Sequence, residues 1–248
     1  MLAIMGAMDE EVRLLRAEMT DVVEARHACV AVATGEFLGV PIALAQCGVG
    51  KVNAAICTQM LINLYRPRAL VFSGVAGGLQ PGLRIGDMVI ASHLVQYDID
   101  LTAFGRRHGE LPNADRVIAS DPHLVGKAAE AFEYAFPHPG EGPRLNIGTV
   151  VSGDRFVGDS TTLKWLQDEF GALATEMEGA AVGYTCQLNA LPFVVTRGLT
   201  DAADELAPSD YATNLEMVCR NSFRLLEHLI PGLAPTPTGL GSATAIPA

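Results

Sequence analysis

The stretch TEMEGAAVG, Thr175 to Gly183, sets two carboxylates, Glu176 and Glu178, on either side of Met177 among small and apolar residues. Further on, TRGLTDAADE carries Arg197, Thr200, Asp201 and Asp204 directly behind the apolar FVV. Near the start, Asp9, Glu10 and Glu11 follow an apolar run. Carboxylates in protected surroundings can protonate a leaving group, orient water or hold adjacent hydroxyls. Glycosidic bonds are broken by such pairs, one acid serving the leaving group and the other the nucleophile. On a strand Glu176 and Glu178 would share a face and repel. The chain is therefore expected to leave strand geometry near Met177. One carboxylate then pairs with a cation such as Arg197 and the other points into a cavity. An arginine just behind FVV begins nearly buried and needs an acidic partner. Asp201 ends the same segment.

Each feature also has an ordinary account. Acids in a first helical turn complement the helix dipole, although three in a row exceed what the dipole needs. SGVAGG, Ser73 to Gly78, brings the backbone N–H groups around Ala76 and Gly77 into an open turn, which alone is weak evidence. It lacks the glycine patterns of dinucleotide and nucleoside-triphosphate sites. SGDRF, Ser152 to Phe156, is turn chemistry that places an aromatic, Phe156, where it could stack on a planar ligand.

These residues need elements to hold them. Leu2 to Gly6 suits a buried strand, and Met8, Val12, Leu15 and Met19 recur at helical spacing after it. CVAVATGEFLGVPIALAQCG reads as two strands about a turn at Leu38–Gly39. GKVNAAICTQMLINLY is a helix with Val52, Ile56, Met60 and Leu64 along one face. ALVFSGVAGG and GDMVIASHLVQYD are strands, and Leu101 to Pro112 is a loop. Asp121 caps a helix that starts at Pro122. LNIGTVVSGDRF is a strand, DSTTLKWLQDEFG a helix closed by Gly171, and PFVVTRGLTDAADE a strand running into a polar loop. A last helix spans roughly Ser209 to Leu229. The expected fold is α/β, one domain over residues 1–230, with a central mixed sheet flanked by helices on both sides. Residues 231–248, rich in Pro, Gly, Thr and Ala, are expected to form a disordered tail. Ligands in such folds gather at the carboxyl ends of strands, where most of the polar residues above fall.

The 248 residues are 49% hydrophobic and carry a formal charge of −11, which argues against a polyanionic partner and favours a small molecule. The five cysteines form no CxxC pair, and the histidines show no metal-ligand spacing, so free thiols in a reducing compartment are expected. MLAIMGAMDEEV lacks the basic start of a signal peptide. No apolar stretch is long enough to span a bilayer. A cytoplasmic location is expected.

Taken in order over roughly residues 2–230, IMGAMDEEV, CGVGKVNAA, SGVAGGL, GDMVIAS, YDIDLTAFG, VSGDRF, ATEMEGAAV and VVTRGLTDAAD resemble the 5′-methylthioadenosine/S-adenosylhomocysteine nucleosidases of the purine nucleoside phosphorylase superfamily. The resemblance implies hydrolysis of the N-glycosidic bond of adenine thioribosides, and of 5′-deoxyadenosine with them, without metal or organic cofactor. Glu11 then positions and activates water, and Asp201 protonates adenine at N7. Glu178 binds the ribose 2′- and 3′-hydroxyls, Met177 packs on the ribose, and Arg197 lies near the ribose and water. Phe156 stacks on adenine and the Val157 backbone reads its edge. Met8, Val49 and Tyr211 surround the 5′-alkylthio group, while Ala76, Gly77, Glu176 and Thr200 complete the binding set. Leu101, Phe104 and Pro112 belong to a loop that completes the partner's pocket in a homodimer. Val75 and Thr200 stand where the family often has Ser, and Tyr211 where it commonly has Phe. The rival readings are a purine nucleoside phosphorylase, a hydrolase of another purine riboside such as aminodeoxyfutalosine, and a catalytically silent nucleoside-binding protein. Three acids at the nucleophile corner oppose a phosphate nucleophile.

Overall fold

β1, Leu2–Gly6, is buried at every position, as a strand covered on both faces must be. It belongs to a computed structural model that describes residues 1–112, 114–138 and 140–234. α1 (Asp9–Ala17) follows at once, then β2 (Thr20–His27), β3 (Val30–Phe37) and β4 (Val40–Gln46). α2 (Lys51–Tyr65) leads to β5 (Leu70–Gly78) and β6 (Met88–Gln96). After a 3-10 turn at Thr102–Phe104 come β7 (Ile118–Ala119), α3 (Pro122–Ala135) and β8 (Leu145–Ser152). α4 (Ser160–Phe170), β9 (Ala174–Glu176), α5 (Gly179–Leu188), β10 (Phe193–Asp201) and α6 (Ala207–Gly232) complete the chain.

The strands form one mixed sheet in the order β10-β6-β8-β9-β5-β1-β4-β3-β2, with β7 on β6. β10 also pairs with β5, so β5, β10, β6, β8 and β9 close into a ring, and β1, β4, β3 and β2 extend from it as an arm. β1 runs parallel to both β4 and β5, and β10 runs parallel to β5. One apolar layer joins α1, α3 and α6 to the sheet through Val12, Leu15, Leu124, Ala128, Leu225 and Leu229. The other joins α2 and α5 through Ala54, Cys57, Leu61, Val182 and Cys186. This is the mixed sheet with helices on both sides that the sequence leads one to expect.

The details differ in instructive places. α1 stops at Ala17, so Met19 is buried beyond the helix rather than within it. β2 was not expected as a strand. Among the described residues it pairs only with β3, and it lies largely exposed, so its side chains carry no inward–outward alternation. The expected apolar face of α2 is directed outward: Val52, Ile56 and Leu64 are exposed, while Ala54, Cys57, Thr58 and Leu61 are buried. The Asp121 cap is present, its side chain accepting from Leu124 N. α6 runs through Pro231 to Gly232, so the boundary expected at residue 230 falls inside it, and Leu233 is buried behind it. Of the expected tail, residues 235–248 lie outside the described residues.

Candidate active site

Glu11 is the third residue of α1, just past the carboxyl end of β1. Its side chain folds back toward the sheet instead of into solvent. Oε2 accepts from Ala7 N at 2.6 Å and Met8 N at 2.9 Å, and Oε1 accepts from Val75 N at 3.0 Å. The last bond comes from the backbone, so Val75 leaves it intact despite lacking a hydroxyl. β5 can pass this close only because residue 74 is glycine. A Cβ there would stand 2.5 Å from Glu11 Oε1 and 2.6 Å from Arg197 Nη1. Burial raises the Glu11 pKa, and the Arg197 charge and the three amides work against that rise.

Arg197 lies within β10 and is 1% exposed, with its guanidinium 4.1 Å above the Phe72 ring. Its ion-pair partner is Glu176, and Glu178 Oε2 stands 3.8 Å away. Asp201, on the same strand, is not its partner. Glu176 is further held by Ser152 Oγ, Glu178 N at 3.1 Å and Gly179 N at 2.7 Å. β9 ends at Glu176 and α5 opens at Gly179, so the chain leaves the strand between the two glutamates and their side chains separate. Glu178 Oε1 accepts from Gly50 N at 2.8 Å. Burial raises the Glu178 pKa and the neighbouring Glu176 charge adds to this, with Arg197 opposing. Burial pulls the Arg197 pKa down, but Glu176, Glu11 and Glu178 more than offset it, so the guanidinium stays charged. Three carboxyl groups thus surround one buried cation.

Asp201 is the last residue of β10. A register irregularity against β5 between Leu199 and Asp201 re-aims it at the strand end. Oδ2 accepts from Thr200 Oγ1 at 2.8 Å and Oδ1 from Ala203 N at 2.9 Å. The same Thr200 hydroxyl also lies 3.3 Å from Ala76 O. One hydroxyl proton thus has two acceptors and can turn to the carbonyl when Asp201 carries its own proton. Burial raises the Asp201 pKa, and the Asp210 and Asp204 charges add to the rise against the two hydrogen bonds.

These groups surround a cavity of about 420 Å³, within the range of small-molecule sites. Glu11, Glu176, Glu178, Thr200 and Asp201 line it together with Met8, Val49, Ala76, Gly77, Phe156, Met177 and Tyr211. An annex of about 30 Å³ opens between Gly77, Phe156, Val157 and Asp201. Phe156 and Tyr211 meet edge to face at 6.0 Å, and the Tyr211 hydroxyl donates to Met8 Sδ at 3.1 Å. The Tyr211 pKa is pushed up to about 12, chiefly by burial, so the phenol remains a donor. Arg197 sits beneath the carboxylates rather than in the wall. Leu101, Phe104 and Pro112 lie outside this cavity, on an exposed segment. Thr175 and Pro208 also line it and were not singled out from the sequence. Thr175 adjoins a noted motif, whereas a proline in the first turn of a helix reads only as a helix start. Among the described residues no His, Cys, Asp or Glu cluster is arranged to hold a metal ion, and no helix is long and apolar enough to cross a membrane.

The Phosphorylase superfamily matches residues 1–231 of this chain. A 5′-methylthioadenosine/S-adenosylhomocysteine nucleosidase of Marinomonas sp. (strain MWYL1) is 35% identical over 232 residues, covering 93% of this chain and 98% of that protein. The crystal structure of the nucleosidase of that name from Neisseria meningitidis, in complex with methylthio-immucillin-A, superposes with a TM-score of 0.88 at 35% identity, covering 94% of this chain and 99% of that one. A futalosine hydrolase of Helicobacter pylori strain 26695 superposes with a TM-score of 0.88 at 32% identity, covering 94% and 97%.

Proposed function

The chain belongs to the phosphorylase superfamily and, within it, to the 5′-methylthioadenosine/S-adenosylhomocysteine nucleosidases, and from that premise we propose how its cavity works. It is an N-ribosyl hydrolase that cleaves these thioribosides, and 5′-deoxyadenosine with them, to adenine and the corresponding ribose. Breaking the C1′–N9 bond leaves positive charge on the sugar and negative charge on the base. Asp201, whose raised pKa keeps a proton available, delivers it to adenine N7. Glu11 accepts a proton from the attacking water. Glu178 holds the 2′- and 3′-hydroxyls and sets negative charge beside the oxocarbenium-like centre. Met177 packs on the ribose, Phe156 stacks on the base, and the annex by Val157 receives its edge. Met8, Val49 and Tyr211 take the 5′ arm, and Ala76, Gly77, Glu176 and Thr200 complete the wall. No metal or organic cofactor enters these steps. The chemistry serves methionine salvage.

The observation that carries hydrolysis over phosphorolysis is the occupancy of the nucleophile corner. Glu11 accepts from three backbone amides, Arg197 is committed to Glu176, and among the described residues lining the cavity there is no Lys, Arg or His to cradle a phosphate. Like charges a few Å apart cost roughly 4 kcal/mol at an effective dielectric of 20. Adenine release from a panel of 5′-substituted adenosines, with and without phosphate, tests this. The expected product is the free ribosyl compound at a phosphate-independent rate, and ribose 1-phosphate would overturn the reading. An aminodeoxyfutalosine arm belongs in the panel, because the same acids would serve a futalosine-type substrate.

The proposed assembly is a homodimer. Val52 and Ile56 on α2 are 68% and 60% exposed, Leu188 on neighbouring α5 is exposed too, and Phe104 is 81% exposed. Such an apolar surface supports coverage by a second copy, with Leu101, Phe104 and Pro112 completing the neighbour's pocket. Activity should then fall on dilution below the dimer constant, and a fully active monomer by light scattering would refute it. A cytoplasmic location is proposed as well, supported by five unpaired cysteines, four of them buried.

A further inference from the structure

α2 begins without a cap of its own. Its N-cap residue, Gly50, has φ of 100°, a conformation that glycine tolerates and side chains do not. The missing acceptor comes from a distant part of the chain. Asp154 Oδ1, in the turn after β8, accepts from Lys51 N at 2.8 Å. Asp154 is itself fixed, its N–H donating to Asp98 Oδ2 at 3.0 Å, while Asp98 Oδ1 accepts from Lys51 Nζ at 2.5 Å. Two successive amides at this helix end therefore meet acids from two distant segments, of which Glu178 lines the cavity: Lys51 N meets Asp154, and Gly50 N meets Glu178. Among the described residues the Gly50 amide is the donor within hydrogen-bond distance of the Glu178 carboxyl, since Arg197 stands at 3.8 Å.

We propose that Asp154, braced by Asp98 and Lys51, is a positioning residue that sets the Gly50 amide and through it the orientation of Glu178 toward the two ribose hydroxyls. The inference rests on the reading that Glu178 grips those hydroxyls. Gly48 and Gly50 both hold positive φ; the loop carrying Val49 is tied at one end by Gly48 N donating to Ala7 O at 3.0 Å and across its turn by Asn53 Nδ2 donating to Val49 O at 2.7 Å, and the Asp154 clasp fixes its other end at Lys51. Removal of Asp154 frees the Lys51 amide and lets the Gly50 amide drift from Glu178. The carboxylate then spends binding free energy on settling each time the hydroxyls arrive.

The test is a binding cycle in a Glu11→Gln background, where turnover does not interfere. Calorimetry gives Kd for 5′-methylthioadenosine and for its 2′,3′-dideoxy analogue, with residue 154 as Asp, Ala or Asn. Asp154→Ala should weaken the riboside by about 5–10-fold, the usual cost of a lost helix cap, and leave the dideoxy analogue within about twofold. Asp154→Asn keeps the accepting oxygen and should restore riboside binding. Equal weakening of both ligands, no weakening at all, or an Asn variant as poor as Ala would overturn the proposal. Adenine release by the wild type is scored separately, so failure of hydrolysis and failure of the clasp are distinguishable.

Discussion

The Glu11 corner and the Asp201 corner sit in one cavity and bury one carboxyl each, yet they are built for opposite proton traffic. Glu11 has three backbone amides and the charge of Arg197 around it, so an ionised oxygen is well served there. Asp201 has one amide and one hydroxyl donating to it, and two further acids, Asp210 and Asp204, that push its proton on. Both pKa values rise through burial, but only the Glu11 corner is furnished to hold the anion. The contrast in partners, not in the direction of the shift, is what suits one corner to taking a proton and the other to giving one.

The largest effect should come from Glu11→Gln. Turnover should fall by about 10⁴-fold with binding retained, because general base catalysis is lost at the nucleophile. Binding of 5′-methylthioadenosine by calorimetry beside single-turnover adenine release checks it, and joint loss of both would move Glu11 out of the base role. Asp201→Asn should cost about 10²–10³-fold on adenine thioribosides and far less on ribosides whose leaving groups need no proton. Equal losses on the two would reduce Asp201 to a positioning role.

Thermal denaturation sharpens the contrast. A carboxyl whose folded pKa is raised stabilises the fold in its protonated form. That contribution is complete below the ordinary value of 3.8 and is lost as pH rises through the folded pKa. Asn carries no charge at any pH. Its Oδ1 keeps the Ala203 bond, and its NH₂ meets a Thr200 hydroxyl free to turn and accept. Asp201→Asn should therefore raise Tm at neutral pH and leave it unchanged below pH 3.8, which thermal melts at the two pH values check. Glu11→Gln should show no such gain, because an amide NH₂ must then face a backbone N–H. The smallest effect belongs to Thr200→Val. It removes one hydrogen bond that favours ionised Asp201, so the alkaline limb of the kcat profile should move to higher pH, with a rate change of about 2–10-fold.

The sequence carried the local parts of this arrangement. A strand running straight into an acid-led helix places Glu11, and two glutamates followed by Gly-Ala-Ala announce the exit from a strand. It left open which acid Arg197 would meet, offering Asp201 or one of the paired glutamates. Glu176 prevails because β9 crosses antiparallel onto β5 beside β10, a pairing that no local pattern encodes. The α2 stripe marks a face, but with apolar residues on the opposite side as well it does not declare which face is inside. The Asp154 cap spans 103 residues and replaces a signal that Gly50 removes from its own position. β2 escaped because an exposed edge strand has no burial pattern to betray it.

The closed ring of β5, β10, β6, β8 and β9 has a consequence for how the molecule opens. A strand within a ring has no free edge, so its amides cannot reach water by peeling away singly. Deuterium should enter Leu70–Phe72 and Val194–Val195 only when the whole domain unfolds, at rates set by global stability. The arm is different: among the described strands β2 pairs with β3 and leaves its other edge open, so its amides should exchange through local fraying. The acids of the cavity hang from the ring and from β1 at its border, so loosening of the outer arm leaves the catalytic frame protected.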